Sequence, residues 1–259
     1  MSEATLPQAD RATALQAEQY AAAYPPGIGR HYWHVARNKM LWKRLASTLR
    51  PGSVVLDIGC GPGILVEFLR DQDVDCQGSD LGQPIPESSR VAPHLHLGTD
   101  AFELDAALRE KVDTILLMDV LEHLGEPSAF LVRCREAFPN LRTIHLTVPA
   151  RMEIWSNYDE YFGHFRRYTR SALREVAQAA DLQVEGSSYA FHGLYAAARA
   201  VGLISKKRAT KLAAPGAPPV HSVLGALFAA EDRVLPTWMK GSSIFAQLRV
   251  RRRVPADGT

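Results

Sequence analysis

Apolar positions along the chain change their period several times, and each change predicts an element. An alanine-rich stretch at 12–23 predicts a helix that ends before Pro25-Pro26-Gly27. Leu41, Leu45 and Leu49 recur every fourth residue with Trp42 beside them, which predicts an amphipathic helix over 31–49, stopped by Pro51-Gly52. From Ser53 the pattern becomes the continuous run Ser53–Ile58, as expected for a strand buried on both faces. Further strands are predicted at 74–80, 112–118, 143–148 and 182–191, with a weak one at 95–97. Helical stretches lie between them. One carries Leu65, Phe68 and Leu69. A second starts at Pro127 and carries Phe130, Leu131, Cys134 and Phe138, and a third runs from Thr169 to about 180. Strands alternating with helices predict an α/β fold, a Rossmann-like, doubly wound, mostly parallel sheet with right-handed crossovers.

The alternation fails at 192–240. Two apolar helices are predicted there, joined by Lys206, Lys207, Arg208 and Lys211 and an Ala-Pro-Gly linker. A last strand follows at 243–250, then a basic end. Four regions result: a tail and helical cap (1–50), an α/β core (51–191), a helical insert (192–241) and a final strand with a basic tail (242–259). Apolar helices flanked by cations fit peripheral membrane contact through 192–240, or a lid over the sheet or a second subunit.

Composition narrows the class. The chain has 259 residues, 46% hydrophobic and 22% charged, enough for a sizeable core. Net charge is +2, and the basic residues cluster mainly at the end and in the insert, so nucleic acid is not an expected partner. Three separated cysteines fit neither a disulfide framework nor a zinc site, and a cytoplasmic location is expected. Residues 1–19 carry three acids and no apolar core, so no export signal is expected there. No apolar run is long enough to span a bilayer, which leaves peripheral association at the inner membrane surface.

The chemistry concentrates at the strand ends. Val55-Leu56-Asp57-Ile58-Gly59-Cys60-Gly61-Pro62-Gly63 joins the first strand to the first helix of the core. Its G-x-G-x-G spacing is not the dinucleotide fingerprint, and no phosphate-loop lysine follows. Asp57 suits a cationic ligand and would repel a pyrophosphate. Asp80 ends the second strand, where a carboxylate accepts from a ribose diol, and Asp100 follows the third, near where an adenine amino group would lie. A ligand with a ribose, an adenine, a positive charge and no phosphate fits S-adenosylmethionine (SAM).

These three signals, with Asp119-Val120-Leu121-Glu122-His123 after the fourth strand as a fourth, resemble class I SAM-dependent methyltransferases. The resemblance covers about 50–190 and the last strand. Its Leu-Glu-His element is similar to the branch of ubiquinone-biosynthesis-type and small-molecule O-methyltransferases. The resemblance implies a cofactor shell of Arg37, Asp57, Gly59, Cys60, Gly61, Gly63, Asp80, Leu81, Asp100, Ala101, Asp119 and Val120. Arg37 would meet the SAM carboxylate or else form a surface salt bridge. Trp33, Trp155, Tyr158, Tyr161 and Arg167 would border the acceptor. His164 and His123 are the candidate catalytic groups. An imidazole with a pKa of about 6.5 suits proton abstraction, while a loop-stapling role is the alternative for His164. Asp119, Glu122 and His123 share i, i+3, i+4 spacing, but no second histidine follows closely, so no resident metal is expected. The implied reaction moves a methyl group to a small-molecule or lipid-like acceptor, most readily at oxygen. Glycan or nucleic-acid methylation and SAM binding without turnover are the alternatives.

Overall fold

In a computed structural model, the structure describes residues 15–204, 209–211, 214–216 and 218–251. The tail expected before residue 15, the basic Lys206, Lys207 and Arg208, and Arg252 and Arg253 lie outside the described residues.

Seven strands form one sheet: β1 (Val54–Ile58), β2 (Asp75–Asp80), β3 (Leu95–Leu97), β4 (Val112–Met118), β5 (Thr143–Pro149), β6 (Leu182–Ala190) and β7 (Ser243–Val250). Their order is β3-β2-β1-β4-β5-β7-β6. All neighbours pair parallel except β7, which runs antiparallel to both β5 and β6. The order reverses between β1 and β4, so ligand chemistry belongs beyond their carboxyl ends.

Period-two alternation divides the buried strand residues between two cores. Leu56, Ile115, Leu117, Ile144 and Leu146 face one side. They pack against α5 (Pro127–Ala137) and α7 (Arg170–Ala179) through Leu131, Cys134, Leu173 and Ala177. Val55, Leu116, Met118 and Phe245 face the other side, against α2 (Tyr32–Leu45) and α3 (Ile64–Arg70). Helix α2 ends at Leu45, short of the expected 49. Its last turn gives way to a turn in which the Thr48 hydroxyl donates to the Leu45 carbonyl at 2.8 Å. Two short helices escape periodicity altogether: α4 (Ala106–Lys111), capped by Asp105, and α6 (Asn157–Tyr161), capped by Ser156. Helix α1 (Ala17–Ala23) lies before the proline pair.

The insert between β6 and β7 holds α8 (His192–Ile204) and α9 (Pro218–Val234). Helix α9 packs on the outer face of α2. Gly225 lies so close to Val35 and the Tyr32 carbonyl that a Cβ there would meet them at 2.8–3.1 Å. Asp232 accepts from both terminal guanidinium nitrogens of Arg44, at 2.6 and 3.0 Å. The chain leaves and re-enters the sheet at one point: Ala190 pairs with Ser243, and the Ser242 amide donates to the Phe191 carbonyl. Gly241 closes this neck, since a Cβ there would sit 2.2 Å from the Ala190 carbonyl oxygen.

Candidate active site

A cleft of about 520 Å³ opens over the carboxyl ends of β1, β2 and β4, within the size range of small-molecule sites. Helices α1 and α2, the segment after β4 and the loop after β5 complete its walls.

The glycine loop forms its floor. Gly59, Gly61 and Gly63 all have left-handed φ (+76°, +55°, +86°), a conformation that costs glycine little. Only Gly59 opens on the cleft. A Cβ on Gly61 would touch the Tyr24 ring at 3.0 Å, and one on Gly63 would run into Leu95. Cys60 turns inward against Gly78. Gly61, Gly63 and Cys60 therefore shape the loop from beneath rather than line the cavity.

Asp80 ties this floor together. Its Oδ2 accepts from the Gly61 amide and its Oδ1 from the Gly82 amide, both at 2.8 Å, and the Tyr20 hydroxyl of α1 also donates to Oδ1. Burial, then the Asp80 charge, raises the Tyr20 pKa, so the phenol stays a donor. Asp57 lies buried beneath. Burial pushes its carboxyl up to about 7 despite Arg37, and the Asp80 charge adds to the rise. Arg37 reaches Asp119 at 3.3 Å and stacks over Trp33 at 4.6 Å. Arg37 thus forms an ion pair, but a largely buried one that lines the cleft, not the surface bridge expected as the alternative. Asp100 lines the cleft too, with Leu81, Ala101 and Val120; it accepts from the Phe102 amide and pairs with Arg133.

Four buried polar atoms around this half have no hydrogen-bond partner: Asp57 Oδ1, Arg37 Nε, His34 Nδ1 and Asn38 Oδ1. Buried orphan atoms of this kind are costly unless a ligand or water completes them. Both anionic and cationic groups are present, as an amino-acid-bearing, positively charged nucleoside requires. The residues fit SAM.

The acceptor half is built on Asp119, whose φ of +58° turns the chain sharply after β4. The turn buries Glu122, which is 1% exposed, and places His123 beside it. The loop after α6 is pinned to this turn. The Phe165 amide donates to the Glu122 carbonyl at 2.8 Å, and the Tyr168 hydroxyl donates to the Leu121 carbonyl at 3.1 Å. His164 is thereby set edge-on to His123, with ring centres 4.7 Å apart. Asp159, fully buried, organises the loop. It accepts from the Ser156 amide, from Arg167 Nε at 2.7 Å, and bonds His164 Nδ1 at 2.9 Å. Burial alone would raise its pKa, but His164 and Arg167 outweigh burial and hold it below the usual carboxylate value. Burial and the Asp119 charge push Glu122 up. Burial, then His164, drives His123 down to about 4.

Trp33, Tyr158, His123, His164 and Arg167 all border the cleft. Trp155 does not; its indole donates to the exposed Glu160. Tyr161 stays out as well, and its carbonyl accepts from Gln19 of α1. Tyr24, just past α1, lines the cleft with Trp33 as the aromatic wall that the sequence suggests. Two participants escape sequence reasoning: Tyr20 comes from a helix with no motif, and Asp159 stands out only through Ser156-x-x-Asp159, a readable helix-capping pattern. Glu122, His123 and His164 each offer a ligand atom, all within 4.8 Å of one another. Asp119, paired with Arg37, is not part of that group.

A parallel sheet with one antiparallel strand beside its edge, a glycine floor and acids at successive strand ends define a class I methyltransferase. The family model described as a methyltransferase domain matches residues 31–186. The chain belongs to that SAM-dependent family. Among curated proteins, the ubiquinone biosynthesis O-methyltransferase of Cereibacter sphaeroides (strain ATCC 17025 / ATH 2.4.3) is 36% identical over 94 residues, 33% of this chain and 36% of that protein. The enzyme of the same description from Pasteurella multocida (strain Pm70) is 27% identical over 121 residues, 40% of this chain and 50% of that protein. The matches thus span half or less of these curated relatives. Among solved structures, the 1,6-didemethyltoxoflavin-N1-methyltransferase of Burkholderia thailandensis superposes with a TM-score of 0.55 at 17% identity, covering 97% of this chain and 94% of that one. Magnesium protoporphyrin IX methyltransferase from Synechocystis PCC 6803 gives 0.52 at 15%, covering 96% and 100%. At these identities the two structures establish the shared fold.

Proposed function

We propose that the protein methylates an oxygen of a small, partly apolar acceptor. The observation that carries this reading is the polar group Glu122–His123–His164, set in the acceptor half of the cleft where Asp159 holds His164, and walled by Trp33, Tyr158 and Phe162. SAM, when bound, supplies an electrophilic methyl group. The chain's own contribution is alignment and control of the acceptor's proton. Asp80 and the Gly59 turn hold the nucleoside end, and Arg37 with Asp57 meets the charged amino-acid end. Aromatic walls exclude water and orient a flat acceptor. His123 and His164 are the groups placed to act on the hydroxyl. The partial likeness to enzymes described as O-methyltransferases supports oxygen over nitrogen. Methyl-labelled SAM offered with phenol, quinol and lipid fractions should give a labelled ether. Tight SAH binding with no transfer to any fraction would instead favour a SAM-binding protein without turnover.

A second reading concerns how the acceptor arrives. Val220, Val223, Leu224 and Leu227 form an exposed apolar stripe along α9, continued by Val234 and Trp238, with exposed Arg233 and Lys240 nearby. Among the described residues no helix is long and apolar enough to cross a membrane. The stripe supports peripheral contact with anionic lipid at the inner membrane surface, which suits a lipid-like acceptor. Flotation with anionic vesicles at low salt tests this. Protein left in the soluble fraction would make the insert a lid or a contact for a second copy.

A further inference from the structure

We propose that Glu122, His123 and His164 form a three-ligand site for a divalent transition-metal ion at the acceptor end of the cleft. The grouping runs against the expectation from sequence, because its second histidine arrives from a loop forty-one positions further on.

Four observations converge. First, the three ligand atoms lie within 4.8 Å of one another. Donors around a zinc-sized ion sit about 3.4 Å apart, so small side-chain rotations close the site. Second, Glu122 Oε2 is buried with no hydrogen-bond partner, although its residue is 99% buried by the 1% exposure given above. No guanidinium among the described residues hydrogen-bonds that oxygen, although the Arg167 charge is felt there: Arg37 pairs with Asp119, Arg166 donates to the Gly125 carbonyl, and Arg167 donates to Asp159 and the Ala150 carbonyl. Third, the carboxylate of Asp159 bonds His164 Nδ1 and leaves its other ring nitrogen free, the arrangement that a carboxylate partner imposes on a metal-bound histidine, and the His123 ring stands edge-on to that imidazole with centres 4.7 Å apart. Fourth, the Phe165 amide on the Glu122 carbonyl locks the two ligand-bearing segments in register.

Two imidazoles and one carboxylate suit Zn²⁺, Co²⁺ or Mn²⁺ and leave coordination positions open. Resting on the methyl-transfer reading, the ion would hold the acceptor hydroxyl and lower its pKa. The hydroxyl proton leaves to solvent. An oxygen lone pair then forms the O–CH₃ bond as the CH₃–S bond breaks, its electrons going to sulfur; the products are the methyl ether, S-adenosylhomocysteine (SAH) and a proton. The imidazoles then serve as ligands, and the ion, rather than either ring, acidifies the acceptor.

Metal binding is measured without SAM or acceptor, so its outcome is separate from that of the methyl-transfer reading. The full chain, stripped with chelator, is titrated with Co²⁺ and then with Zn²⁺. One Co²⁺ per chain with visible d–d absorption, displaced by Zn²⁺, is expected. Co²⁺ should also broaden the ring resonances of His123 and His164 in the unaltered protein. Glu122→Gln and His164→Asn should each weaken Co²⁺ at least tenfold while SAH affinity is unchanged. Wild type that takes up no ion at millimolar concentration overturns the proposal. So does Co²⁺ that broadens other histidines, such as the neighbouring His31 and His221, and leaves His123 and His164 sharp.

Discussion

Tyr20→Phe isolates one atom of the cofactor site. The Tyr20 hydroxyl donates to Asp80 Oδ1, the oxygen that a ribose diol would also approach, while the Gly61 and Gly82 amides hold the carboxylate in place. Removing the hydroxyl leaves those two amide bonds and the loop intact. A hydrogen bond to a charged group is worth about 1.5–3 kcal/mol net. The variant should lose about that much stability in the absence of ligand, because Asp80 loses a buried donor. The cofactor no longer has to displace that donor, so SAH should bind tighter by up to the same amount, roughly 10- to 100-fold. Calorimetric SAH titration and urea unfolding of the same preparation measure both halves. Lower stability with unchanged or weaker SAH binding would refute the competition and make Tyr20 a contact of the bound state. Asp80→Ala is a poorer probe, since it also releases the glycine loop.

Other outcomes follow from the same geometry. Gly61→Leu should abolish SAH binding, as its first side-chain atom already meets Tyr24 at 3.0 Å and its φ of +55° is strained for leucine; calorimetry reads this directly. Burial, then Arg44, pushes His145 down to about 4. The folded state therefore binds fewer protons than the unfolded one between that value and about 6.5, and stability falls as pH falls through this window. His145→Gln should flatten the urea-unfolding difference between pH 7 and pH 4.5 by up to about 3 kcal/mol, and an unaltered slope in the folded variant would contradict this. Asp57 has the opposite sign: its raised pKa costs stability as pH rises toward about 7. Asp57→Asn should stabilise the free protein at pH 8 by a few kcal/mol and weaken SAM binding, measured by thermal unfolding and titration. Gly241→Ala should destabilise by more than about 2 kcal/mol, because its methyl group meets the Ala190 backbone rather than a movable side chain.

The sheet was legible because strands buried on both faces are written as unbroken apolar runs, and the ligand end because glycines and acids fall at strand termini. Both signals are local. The acceptor end depends on contacts between distant segments. His164 joins Glu122 and His123 through tertiary bonds such as Phe165–Glu122 and Tyr168–Leu121, and Tyr20 reaches Asp80 across sixty positions. Neither pairing leaves a spacing in the sequence. The sequence puts Arg37 on the helix beside the site, but nothing in its spacing pairs it with Asp119, eighty-two positions on. The helix expected to reach residue 49 stops at Leu45 because Thr48 folds back on the Leu45 carbonyl, a choice that helical periodicity does not encode.

The pinched neck at Phe191 and Ser242 has an evolutionary consequence. Because the chain exits and returns at one rung of the sheet, the ends of everything between are already together, and changing the length of that stretch adds little closure entropy. The stretch behaves as an interchangeable cassette. Leu194 and Ala198 of α8 reach the cleft, while α9 bears on the helix that carries Trp33 and Arg37. The choice of acceptor can therefore change with that cassette while the sheet and glycine floor stay untouched. A chimaera that keeps Gly241 and its rung should fold with a foreign cassette and inherit a different choice of acceptor.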